Sequence, residues 1–260
     1  MRYNKKVVEW KHKQDIKLYK WEIGSDVVED ETLEQISRSS KSRTSYNDMT
    51  AKAKKMSDQR RKRYYKNRIF FLADLAIHNE LNTFITLTFK EPITDYSVAQ
   101  HEWGLFIKRL KYRVGKDLKY IAVHELQKKR GGVYHFHVLT NLGFFPHDEL
   151  EKIWGKGFVY IESLNRDLNA DKIRQIMYSF KYICKEVIDE NTGERNTARK
   201  IYTSRNLVKP IVRKEYSTEN MEDIIFKNME HVISTNTYEI RDSHNRKLNE
   251  VDYIKIAKDF

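Results

Sequence analysis

The chain has 260 residues, enough for one large domain or a domain with appendages. Its formal net charge of +12 favours an anionic partner, with nucleic acid the commonest. The single cysteine, Cys184, excludes an internal disulfide and a cysteine-based zinc site, no apolar run is long enough to span a membrane, and there is no P-loop.

These features, with a start (Met1-Arg2-Tyr3-Asn4-Lys5-Lys6) that lacks an apolar signal core, predict a cytoplasmic protein in a reducing compartment. No membrane partner and no nucleotide cofactor are expected.

In chain order, Val7 to Trp10 and Ile16 to Ile23 read as a strand pair joined by a polar turn. Residues 24–47 are rich in Ser, Asp and Glu and read as a loop or a weak helix. Residues 48–80 read as a long helix, or two. From Lys52 to Arg68 this stretch carries nine Lys and Arg against one acid, Asp58. An apolar anchor follows from Ile69 to Ile77. Lys52, Lys54, Lys55, Arg60, Arg61, Lys62 and Arg63 are therefore candidate phosphate contacts.

Thr83-Phe84-Ile85-Thr86-Leu87-Thr88-Phe89 is a strand by composition, ended by Pro92. Tyr96 to Val114 reads as a helix with Trp103, Phe106, Ile107 and Leu110 facing a core. Lys119 to Gln127 is a second strand. Lys128-Lys129-Arg130-Gly131-Gly132 is its turn, and the three cations there are further candidate DNA contacts. Val133 to Thr140 returns as a third strand.

That strand contains His135-Phe136-His137. Alternate residues of a strand share a face, so both imidazoles point the same way. Reflection through the turn puts Glu125 beside His135 or His137, with His124 on the opposite face. Two imidazoles and a carboxylate suit Mn²⁺ or Mg²⁺ in Lewis-acid work, with Zn²⁺ an option in vitro.

Pro146 to Trp154 predicts a short helix and Gly157 to Ile161 a strand. Asn169 or Asp171 can cap a helix running to about Ile188. Ile173, Ile176, Met177, Phe180, Ile183, Cys184 and Val187 share its apolar side. Tyr178, Lys181, Tyr182 and Lys185 share the other. A phenol with a pKa of about 10 is a poor nucleophile, but neighbouring ammonium groups favour its phenolate and hold a phosphate. Met221 to Met229 reads as helical, and Tyr238 to Ile256 as a closing hairpin.

Three motifs in this order resemble the HUH endonucleases, the rolling-circle replication initiators of plasmids and phages. They are the strand Phe84 to Phe89, the His135-Phe136-His137 pair, and Tyr178-Ser179-Phe180-Lys181-Tyr182-Ile183-Cys184-Lys185, which is similar to the paired-tyrosine form. The resemblance spans about Thr83 to Glu186. It implies an α/β (α+β) ferredoxin-like fold with a central antiparallel sheet and helices on one face, extended at both termini. It divides the chain into an N-terminal extension (1–80), a catalytic core (81–190) and a C-terminal extension (191–260) packed on the core.

The same resemblance implies nicking and rejoining of single-stranded or hairpin origin DNA through a 5′-phosphotyrosine, in a bacterial host. His135 and His137 would be metal ligands with Glu125 as a third. Tyr178 and Tyr182 would be nucleophiles, and Lys181 and Lys185 their helpers. No helicase motif is present, so a host helicase and polymerase would complete replication. A relaxase or transposase of the same superfamily would show the same motifs. A basic DNA-binding protein without catalysis would explain the charge but not the order of the motifs.

Overall fold

The computed structural model describes residues 2–24, 45–127, 131–164, 170–180, 201–241 and 245–258. In order these form β1 (Tyr3–Glu9), β2 (Lys13–Ile23), α1 (Ala51–His78), β3 (Thr83–Thr88), α2 (Tyr96–Val114), β4 (Tyr120–Gln127) and β5 (Val133–Thr140). They continue with α3 (His147–Trp154), β6 (Val159–Ser163), α4 (Ala170–Phe180), β7 (Ile201–Thr203), β8 (Ile211–Glu215), α5 (Met221–Lys227), β9 (Val232–Arg241) and β10 (Lys247–Ala257). This is the expected α+β class.

The chain divides into two compact units, Met49–Val208 and the pair of terminal segments Met1–Asp48 with Lys209–Phe260. The boundaries thus differ from those read at 80/81 and 190/191. The basic helix α1 belongs with the central unit, and the two terminal segments share one sheet. The reason is strand pairing. β2 lies between β1 and β10, so the last strand of the chain completes a sheet begun by the first two. Alternation announces a strand, but it does not name a partner more than 200 residues away.

In the central unit, β3-α2-β4-β5-α3-β6 builds a sheet in the order β6-β3-β5-β4, with β7 added beside β4. Every pairing is antiparallel. This is the split βαββαβ topology of ferredoxin-like folds. One face is a core of Ile85, Leu87, Phe89, Ala122, Phe136 and Val138 packed against Trp103, Phe106 and Leu110 of α2 and Leu150 and Trp154 of α3. Each fully buried large side chain there contributes about 1.5–3 kcal/mol. Arg109 of α2 donates to the carbonyls of Ile153 (2.8 Å) and Trp154 (3.0 Å), fastening α2 to the end of α3.

Local chemistry sets the ends of these elements. Asp95 caps α2 by accepting from the Val98 amide at 3.0 Å. α3 stops at Gly155, whose φ of 62° is the left-handed conformation that glycine tolerates. α4 lies outside the α2–α3 core cluster. It packs on β5 and against α1, and it buries Ile176 and Phe180. At the far end of α1, Asn79 donates to the Val208 carbonyl (2.9 Å) and accepts from its amide (2.8 Å).

Candidate metal and nucleotide-binding face

The turn between β4 and β5 reverses the chain at Gly131 and Gly132, which adopt φ of 73° and 82°. From there the register runs without a bulge, so Glu125 stands opposite His135 and Val123 opposite His137. Directly paired residues share a face. Glu125, His135 and His137 therefore occupy one face, as the sequence pattern predicts. His124 occupies the other, buried among Tyr96, Tyr134 and Tyr202.

The third strand completes the arrangement. β3 pairs with β5 so that Thr86 stands opposite His137 and Thr88 opposite His135. Thr86 Oγ1 lies 3.2 Å from His137 Nδ1, and Thr88 Oγ1 lies 3.2 Å from His135 Nδ1. Both rings are thus held at the same nitrogen, by the same residue type, from the same strand. This is the outer support that metal-binding histidines use to present Nε2. His137 Nε2 lies 3.3 Å from Glu125 Oε2.

A hydroxyl both donates and accepts, so Thr86 accommodates either tautomer of His137. When Nε2–H donates to Glu125, Nδ1 accepts from Thr86. When Nε2 gives its lone pair to a cation, Nδ1–H donates to Thr86. The donor set of two imidazoles and a carboxylate fits a divalent cation. Among the described residues, no three His, Cys, Asp or Glu side chains already surround a common point as ligands would.

An aromatic edge adjoins His137. Phe84 stacks on its ring with centroids 5.9 Å apart and planes 5° apart. Tyr160 of β6 meets Phe84 edge-on at 6.4 Å and is 54% exposed. Its phenol donates to Glu162, two residues along the same strand, at 3.1 Å, and that bond raises its pKa. Neither the threonines nor this edge is marked by any local motif. They are found only once β3 and β6 are placed beside β5.

Tyr178 lies on α4, 57% exposed, on the side away from buried Ile176 and Phe180. Ile173, assigned to the apolar stripe, is 41% exposed, because a straight helix diverges from a twisted sheet at its ends. Tyr182, Lys181 and Lys185 lie outside the described residues, as do Lys128, Lys129 and Arg130. On α1, Lys52, Lys55, Arg60, Lys62 and Arg63 are exposed, and Lys54 and Arg61 are half-buried. Buried residues of this helix begin at Ile69.

Residues 82–187 match the family model for the replication-associated protein ORF2. The match begins just before β3 and runs through the βαββαβ sheet and α4. It supports a role for this chain in replication initiation. No curated protein and no solved structure matches the chain. Among the described residues, no helix is long and apolar enough to cross a membrane.

Proposed function

We propose that the chain initiates replication by nicking one strand of origin DNA through a tyrosine, with a divalent cation, Mg²⁺ or Mn²⁺, held by Glu125, His135 and His137. The observation that carries this reading is the common face of those three side chains, with both Nδ1 atoms tied to Thr86 and Thr88. The match of this same stretch to a replication-associated family supports it.

Bound there, the cation would act as a Lewis acid on the scissile phosphate. The chain's own residues do the rest. The threonines fix the imidazoles, and Glu125 supplies the negative ligand. Phe84 and Tyr160 offer ring faces to unstacked bases beside the cut. The exposed cations of α1 take up the DNA backbone, a contact that needs no base sequence.

Tyr178 or Tyr182 attacks phosphorus. A P–O bond to the tyrosine forms, and the P–O3′ bond breaks. The phenol gives up its proton, the departing oxygen gains one, and DNA leaves with a free 3′-hydroxyl. Lys181 and Lys185 lower the cost of the phenolate. The reaction is an exchange of phosphodiesters, so no nucleotide is consumed, and the reverse step rejoins the strand. Unwinding and synthesis fall to the host helicase and polymerase.

The test is to incubate the full chain with Mn²⁺ or Mg²⁺ and tiled single-stranded oligonucleotides from the replicon that encodes it. A covalent adduct is then trapped, and the linked residue is mapped by mass spectrometry. The expected linkage is to Tyr178 or Tyr182. Tyr178→Phe with Tyr182→Phe removes it, because phenylalanine lacks the attacking oxygen. Formation of the adduct in that double variant, or at the parent rate in His135→Ala/His137→Ala, would overturn the proposal.

A further inference from the structure

The terminal unit carries a second feature that the nicking chemistry does not use. Its sheet has the order β8-β1-β2-β10-β9. One face closes a core of Val7, Ile16, Leu18, Ile254 and Ile256 with Ile224 of α5. The register fixes what stands on the other face. Lys6 of β1 is paired with Lys214 of β8 on one side and with Lys17 of β2 on the other. Lys17 is in turn paired with Tyr253 of β10. Three lysines therefore stand abreast on three neighbouring strands.

Such a row costs stability, because like charges directly opposite repel. Burial, and then the charges of Lys17 and Lys214, hold the pKa of Lys6 below its ordinary value. The carboxylates do not relieve it. Glu9 and Glu215 alternate onto the packed face with Val7 and Lys5, and so does Asp252, which is paired with Leu18. Asp15 shares the lysine face but is engaged by Tyr253 Oη at 2.6 Å, Trp10 Nε1 at 2.8 Å and Lys13 Nζ at 3.5 Å.

Tyrosine rings lie among the lysines. Lys214 Nζ stands 5.1 Å from the ring centre of Tyr3, and Lys17 Nζ 5.9 Å from that of Tyr253. Tyr3 meets Tyr19 edge-on at 5.8 Å. Burial, with Tyr3 and Tyr238 nearby, pushes the Tyr19 phenol up to about 12. It is neutral at physiological pH and does not oppose an anion.

A row of like charges kept on one face, with rings between them, matches a polyanion that also offers flat faces. We propose that this lysine–tyrosine face is a second DNA contact, which holds a single strand by its phosphates with bases against the tyrosine rings. Strands about 4.8 Å apart place the outer lysines roughly 10 Å from each other. That is about three nucleotides of a stacked strand at roughly 3.4 Å each. A single strand is favoured over a duplex because a duplex keeps its base faces stacked inside, out of reach of a sheet surface. The inference stands whether or not the central unit cuts DNA.

The test uses the full chain and fluorescein-labelled oligo-dT, with binding followed by anisotropy across salt concentration. Lys6→Gln/Lys17→Gln/Lys214→Gln should weaken binding at least tenfold at physiological salt. It should also reduce the slope of log K against log salt by about 2, at roughly 0.7 per lost contact. Its melting temperature should hold or rise, because repulsion is removed. Lys6→Gln alone should reduce the slope by about 0.7. Tyr253→Leu should weaken oligo-dT binding and leave duplex binding unchanged. An unchanged affinity and slope in both lysine variants would overturn the proposal. Equal losses for oligo-dT and duplex in every variant would overturn the assignment to a single strand.

Discussion

Replacing Thr88 by valine tests the metal face without touching a proposed ligand. Valine keeps the branched shape and favours a strand, so the sheet is preserved. What goes is the hydroxyl 3.2 Å from His135 Nδ1. A neutral hydrogen bond of that length is worth about 0.5–1.5 kcal/mol net, or roughly three- to tenfold in an equilibrium. Loss of ring orientation adds to this, and outer-shell partners of metal-bound histidines typically account for 10–100-fold in affinity. Thr88→Val should therefore weaken Mn²⁺ binding about tenfold, measured by calorimetric titration. Thr86→Val should do the same through His137, whose Nδ1 lies at the same 3.2 Å. The double variant should approach a hundredfold if the two rings respond independently. Adduct formation at saturating Mn²⁺ should recover most of the parent rate, because the threonines position ligands and do not touch the reacting atoms. Parent-like Mn²⁺ affinity in the double variant would refute the reasoning.

Further outcomes follow from other parts of the molecule. A Cβ on Gly157 would lie 2.3 Å from the Thr88 carbonyl oxygen and 2.4 Å from the Lys90 amide, at a φ of +151°. Gly157→Ala should cost about 2–4 kcal/mol in thermal unfolding, while Gly104→Ala, with nothing within 4 Å, should be neutral or stabilising. Changing Lys52, Lys55, Lys62 and Arg63 of α1 to glutamine should flatten the salt dependence of DNA binding by about 0.7–0.9 per lost phosphate contact, with helicity by circular dichroism unchanged. In the terminal unit, bonds from Lys227 and Lys5 hold the Glu219 carboxyl down at about 2. A depressed acid stabilises the fold above its unfolded pKa of about 4.3 and ceases to do so as pH falls toward 2. Melting temperature should thus decline across that window, and Glu219→Gln should flatten the decline; identical acid limbs would exclude the linkage.

What the sequence discloses depends on how far the informative contact reaches along the chain. The stripe Trp103, Phe106, Ile107 and Leu110 recurs within one helix, and α2 spans Tyr96–Val114 as read. The β4–β5 register depends on a short turn, so Glu125 could be placed against the histidine strand by counting. Thr86 and Thr88 stand 51 and 47 residues from their histidines, with α2 between, and nothing local marks them as partners. β7 and β8 escape the pattern for another reason. β7 has three residues, and all five of β8 are exposed, so neither shows the alternation by which a half-buried strand is recognised. The three-lysine row is hidden in the same way. Lys6, Lys17 and Lys214 look like ordinary surface cations until β8, β1 and β2 are laid side by side.

The position of the histidine pair explains why a short motif can specify so exacting a site. β5 is the middle strand of its sheet, bonded to β3 on one side and β4 on the other. Each histidine is therefore located by two neighbours, His135 by Glu125 and Thr88, His137 by Val123 and Thr86. The residue between them, Phe136, is 1% exposed on the opposite face and stacks on Trp103 at 5.1 Å. A slip of one residue would bring Phe136 onto the polar face and push an imidazole into an aromatic core. Expelling a ring of that size from the core costs about 3 kcal/mol or more, before counting the buried polar group. The apolar residue in the motif is thus the register lock of the site. The packing on one side of the sheet sets the chemistry available on the other.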